Sequence, residues 1–190
     1  MISSAFDLER ANFLQRAVED TIKWCAPPEE PVGKRRSDLY WLVRLSAGSP
    51  PIDSADAADF LVTFQLSRWV SWNTRCTALA VNRFRETALS DRDALIHRFA
   101  VALGVCTHRG HLQTSAASKF AMFSKPGDDV FIWDQLATRS ARVRDAYRTS
   151  TQPRALRGVR YYLDSNGVHS YAAYAEACGA ALAEERTRKC

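Results

Sequence analysis

The chain has no CxxC pair, no long apolar run, no internal repeat and few strand signals, and each gap closes off a class of protein. No stretch approaches the roughly 20 consecutive apolar residues that cross a bilayer, so membrane insertion is not expected. The N-terminal stretch MISSAFDLERANFLQRAVED mixes acids with bases and lacks a continuous apolar core, unlike a secretory signal, which makes the cytoplasm the expected location. The cysteines, Cys25, Cys76, Cys106, Cys178 and Cys190, are odd in number and widely spaced. That pattern reads as reduced, mostly buried thiols rather than a disulfide framework. Cys106, His108 and His111 come closest to a metal motif, but no second ligand cluster completes a tetrahedral shell, so neither a metal nor another cofactor is expected.

What is present suffices for one sizeable core. The 190 residues are 46% hydrophobic and 25% charged, the balance of a folded globular chain. With no clean linker, residues 1–190 read as a single domain, with sub-lobes 1–52 plus 135–190 and 53–134 as the one internal division that suggests itself. The net charge of +5 suits a polyanionic partner. Its distribution is sharper than its sum: Arg139, Arg142, Arg144, Arg148, Arg154, Arg157 and Arg160 are opposed only by Asp145. Arginine is well suited to phosphate, although a solvated helix face has the same composition.

Apolar residues recur at helical spacing, so the fold class is all-α. Leu14, Ala17, Val18, Ile22 and Cys25 mark an N-terminal helix that must stop before Pro27 and Pro28. Residues 38–45, DLYWLVRL, fit a short strand or a helical turn. Asp53 or Ser54 caps a helix running from about Ala55 to Trp72, and Asn73 or Thr74 breaks the chain before a second helix through Arg85. Ser90 caps a third, ending at Gly104. After the loop GVCTHRGHLQ another helix starts near Thr114, with Ala116, Phe120 and Phe123 as its buried stripe. Pro126 and Gly127 turn the chain into VFIW, and Asp134 starts the next helix. Pro153 opens a further one, and Tyr171, Tyr174, Ala175, Cys178 and Leu182 face the core from the last.

The segment TSAASKFAMFSKPGDDVFIWD, residues 114–134, carries the chemistry. Ser115 and Lys119 are four apart and so project from one side of one helix. Phe120, Met122 and Phe123 around the lysine favour partial desolvation, which lowers an amine's pKa and makes it a nucleophile; an ordinary lysine with its head in water is the alternative. Asp134, between an apolar stretch and QLATRSARVRDAY, caps a helix. A carboxylate held there also suits stabilising positive charge on a sugar ring or orienting a water.

ASKFAMF followed by FIWD resembles the helix-hairpin-helix DNA glycosylases, specifically their 8-oxoguanine glycosylase-like branch. The likeness covers roughly Leu103 to Tyr147, with weaker agreement in SYAAYAEACGAAL. It implies two helical lobes around a cleft and release of a damaged or modified base flipped out of DNA. Asp134 would be the catalytic aspartate that assists glycosidic cleavage, and Lys119 the amine that attacks the sugar. The family's nucleophile slot falls near Ser115, one turn before Lys119, so either Lys119 acts from the next turn or Ser115 marks an enzyme that activates water alone. GVCTHRGHLQTSAAS has Gly104 and Gly110 but no G-x-G hairpin. Compact relatives occur in bacterial anti-phage loci, so the resemblance admits DNA repair or defence against foreign DNA.

Base flipping also needs aromatic and cationic side chains. Trp133, Trp69 and Trp72 are the candidates for a base pocket, with core packing as the alternative for each. His108, Arg109, Gly110, His111 and Thr114, together with Arg139 and Arg142, are the candidates for DNA contact. DNA is the expected partner, with no membrane, no obligatory protein partner and a monomeric state. Two other functions fit the same residues: a catalytically inactive DNA-binding module of this fold, and a helical protein-interaction domain.

Overall fold

In the computed structural model the described residues are 36–68, 70–88, 90–134, 137–138, 141 and 170–188. They form six helices and no named strand: α1 Asp38–Leu45, α2 Ser54–Thr63, α3 Thr74–Glu86, α4 Arg92–Val105, α5 Thr114–Ser124 and α6 Tyr171–Arg188. The helices expected near Leu14–Cys25 and from Pro153, and the whole arginine strip, lie outside the described residues.

Side-chain caps set most helix starts by satisfying N–H groups that have no partner within the helix. Ser37 Oγ accepts from Tyr40 N, which, with Trp41 and Leu45 buried one turn apart, makes 38–45 a helix rather than a strand. Asp53 and Asp56 form a reciprocal capping box on α2. Asn73 caps α3. Asp91, not Ser90, caps α4, through its bond from Ala94 N.

Helix α2 stops at Thr63, well short of the expected Trp72. Leu66 N donates to Leu61 O and Gln65 N to Val62 O, with Gln65 at φ 56°, a Schellman end in which glutamine occupies the left-handed position. The chain then turns back, and Trp72 pairs with Thr107 in an isolated antiparallel bridge. Asn73 N donates to Cys106 O beside that bridge.

The same juxtaposition overturns the reading of all the cysteines as reduced thiols. Cys76 in the first turn of α3 and Cys106 at the end of α4 form a disulfide, with Cα atoms 5.4 Å apart. Their separation of 30 residues hides the pairing from any local motif. Cys178 is partly buried, and Cys25 and Cys190 lie outside the described residues.

Helix α5 packs against α1, α3 and α4. Its Phe120 stacks on Phe60 of α2 at 3.9 Å between ring centroids, and Phe123 meets Phe60 and Phe64 edge-on or tilted. Phe84 and Phe99 stack beside them at 4.2 Å. A fully buried phenylalanine stabilises by about 2–3 kcal/mol, so these rings anchor α5 firmly. Gly104 serves the same end. A Cβ there would lie 2.7 Å from the His111 carbonyl oxygen, so only glycine lets the loop into α5 cross α4 this closely.

Candidate active site

Helix α5 presents Ser115 and Lys119 on one side, as their spacing requires. Lys119 Nζ donates to Ser115 Oγ at 3.2 Å and lies 3.8 Å from Asp134 Oδ2. Side-chain exposure is 12% for the lysine and 38% for the aspartate, so the amine is largely withdrawn from water while the carboxylate keeps a wet edge. Burial pulls the Lys119 pKa below its ordinary value, and the neighbouring Asp134 carboxylate pulls the other way.

Asp134 divides its two oxygens between two tasks. Oδ1 accepts from Ala137 N at 2.8 Å, the capping bond expected at the start of a helical turn, while Oδ2 faces the lysine. Thr138 reinforces the turn, its N–H and hydroxyl both donating to Asp134 O. Capping and charge stabilisation are therefore compatible in one side chain.

The segment that delivers Asp134 is held by three hydroxyls. Tyr171 Oη accepts from Phe131 N at 3.2 Å and donates to Phe131 O at 3.0 Å. Tyr174 Oη donates to Ile132 O at 2.6 Å. Trp133 N donates to Ser118 Oγ at 2.8 Å, and that hydroxyl donates to Ser115 O at 3.1 Å. Burial pushes the Tyr171 phenol up to about 12 and raises that of Tyr174 as well, so both stay neutral donors at physiological pH. The sequence identifies Tyr171 and Tyr174 as core-facing but not as backbone clamps, and it assigns Ser118 no contact. The available signal was a hydroxyl on the apolar side of α5, where burial demands a partner.

The aromatic candidates divide. Trp133 is only 5% exposed and is packed against Tyr171 and Tyr174, the latter edge-on at 5.3 Å. Trp72 is partly buried, with Nε1 donating to Leu66 O. Trp69 lies outside the described residues, as do Arg139 and Arg142.

His108, Arg109, Gly110 and His111 form an exposed loop leading to the partly buried Thr114. Ser71 N donates to His108 Nδ1, which ties this loop to the bridge at Trp72. Gly110 has φ 63°, a conformation that glycine adopts without strain. The disulfide removes the Cys106 sulfur from the Cys106, His108 and His111 set, and among the described residues no group of three metal-binding side chains assembles. A cavity of about 480 Å³ lies away from this cluster, lined by Gly48, Ser49, Asn82, Arg85 and Glu86 among others.

The arrangement pairs a desolvated amine with a carboxylate fixed at a helical turn, both on a rigid frame. Chemically this set can attack an electrophilic carbon, stabilise adjacent positive charge, or orient a water. Comparison of the chain with protein-family models, with curated proteins and with solved structures finds no match. Among the described residues no helix is long and apolar enough to cross a membrane.

Proposed function

We propose that the chain is a DNA glycosylase of the helix-hairpin-helix type, cleaving the N-glycosidic bond of a damaged or modified base flipped out of DNA. The observation that carries this reading is the 3.8 Å approach of Lys119 Nζ to Asp134 Oδ2, with the amine mostly buried and its pKa lowered. Lys119, once unprotonated, attacks C1′ of the deoxyribose. The C1′–N bond breaks, its electron pair leaves with the base, and the base takes up a proton. Asp134 stabilises the positive charge that builds on the sugar ring as the bond weakens. Nζ, having lost a proton on attack, then expels O4′: the C1′–O4′ bond breaks, O4′ takes up a proton as the ring opens, and the resulting imine links Lys119 to C1′ and can proceed to strand cleavage by elimination of the 3′ phosphate. Ser115, bonded to the amine, holds it in place.

DNA is the partner in this reading, and repair or defence against foreign DNA in the cytoplasm is its setting. The exposed loop at His108, Arg109, Gly110 and His111, adjoining the start of α5, is the phosphate-contacting candidate. The test uses two duplex oligonucleotides, one with a single apurinic site and one with 8-oxoguanine, incubated with sodium borohydride. The expected result is a covalent adduct that Lys119→Met abolishes, with base release strongly reduced by Asp134→Asn. Unchanged release in Asp134→Asn would end this mechanism. Salt-dependent DNA binding without adduct or release would mark an inactive binding module instead.

A further inference from the structure

We propose that Ser118 is the positioning residue that sets the distance between the amine on α5 and the carboxylate of Asp134, an inference that rests on the glycosylase reading for its catalytic consequence. Ser118 is fully buried, and its hydroxyl is a two-way bridge. It donates to Ser115 O within α5 and accepts from Trp133 N on the segment that crosses the helix. Lys119 is the next residue after one end of this bridge and Asp134 the next after the other. One hydroxyl thus registers both reacting side chains against each other through a single residue of backbone on each side.

The neighbouring clamps act further from the reacting groups. Tyr174 fixes Ile132 and Tyr171 fixes Phe131, two and three residues before Asp134, and both tyrosines come from α6. Ser118 ties the backbone of the Asp134 segment to the helix that bears the amine, beside the Lys119–Asp134 contact itself. Losing it removes the Ser118 acceptor from the Trp133 N–H at a buried position, which the segment relieves by moving away from α5. The Lys119 to Asp134 distance then lengthens while the outer clamps keep the fold.

The experiment compares wild type, Ser118→Ala and Tyr174→Phe in two measurements. In the first, borohydride trapping on a duplex oligonucleotide with one 8-oxoguanine, where the adduct forms only after base release, gives the rate at saturating DNA, and fluorescence anisotropy gives the affinity. Ser118→Ala is expected to slow trapping by roughly 10- to 100-fold, the scale of a misplacement of about 1 Å, with affinity unchanged. Tyr174→Phe, which keeps the ring on Trp133, is expected to lose less. An equal loss in both variants, or a loss of affinity in place of rate, would overturn the proposal.

The second measurement needs no activity. Lysines are reductively methylated with 13C, the Lys119 signal is assigned by its loss in Lys119→Met, and its titration is followed with and without Asp134→Asn. In wild type the aspartate substitution shifts the Lys119 titration; in the Ser118→Ala background the shift is expected to shrink. An undiminished shift refutes the positioning role even if the chain releases no base, while absent trapping with a diminished shift refutes the glycosylase reading alone.

Discussion

Ser115 and Lys119 share a hydrogen bond, Nζ to Oγ at 3.2 Å, one turn apart on α5. The sequence leaves these residues as rivals for one role, and in the proposed reading the bond makes them partners. An amine that donates to a serine oxygen keeps its lone pair available once deprotonated, and its direction is limited. Ser115→Ala is therefore expected to leave adduct formation intact but slower by about 3- to 10-fold, the worth of one hydrogen bond of roughly 1 kcal/mol. Lys119→Met should abolish the adduct. Trapping that survives Lys119→Met and vanishes in Ser115→Ala would reverse the assignment.

The pH dependence follows from the opposing influences on Lys119. Burial lowers its pKa from the ordinary 10.5, so the trapping rate should rise with pH and level off below that value. Asp134 holds the lysine pKa up, so Asp134→Asn should move whatever rate remains toward lower pH. Stability carries the matching sign. The unfolded chain binds this proton more tightly than the folded one, so the lysine's contribution to stability increases as pH climbs from the lowered folded value toward 10.5. A profile that levels off only above 10.5 would contradict a desolvated amine.

Cys76 and Cys106 join the start of α3 to the end of α4, at the root of the loop that leads to Ser115 and Lys119. Closing a loop of this length contributes about 2–4 kcal/mol. The cytoplasmic setting proposed above is reducing, so the reduced chain must also hold its core. Cys76→Ala is expected to lower Tm without unfolding the protein at 25 °C, with dithiothreitol shifting wild type to the same Tm. Equal Tm values for oxidised wild type, reduced wild type and the variant would show that the link contributes nothing.

Local rules made much of this molecule legible. Asp53, Asn73 and the Pro126–Gly127 turn lie where capping and turn chemistry place them, because each depends on a few consecutive residues, and the start at Thr114, which has no side-chain cap, follows from the buried stripe of Ala116, Phe120 and Phe123. The i, i+4 spacing likewise put Ser115 beside Lys119. Contacts between distant segments were not legible. The approach of Asp134 to Lys119 depends on Ser118, Tyr171 and Tyr174 drawing residues 131–133 across α5, and nothing local encodes that crossing. The disulfide depends in the same way on Trp72 meeting Thr107.

The overrun of α2 toward Trp72 has a different cause, and it yields a stability prediction. Helix ends of this kind usually carry glycine at the left-handed position, and here it is Gln65, at φ 56° and exposed. A residue with a Cβ is strained in that conformation by roughly 1 kcal/mol relative to glycine, partly offset by glycine's greater freedom in the unfolded chain. The side chain is exposed, so removing it sacrifices little packing. Gln65→Gly is expected to raise stability by about 0.5–1 kcal/mol, and Gln65→Val, β-branched and stiffer, to lower it by a similar amount. Urea unfolding with a common m-value measures both. Should Gln65→Gly prove less stable than Gln65→Val, the left-handed turn after Thr63 would not be what ends α2.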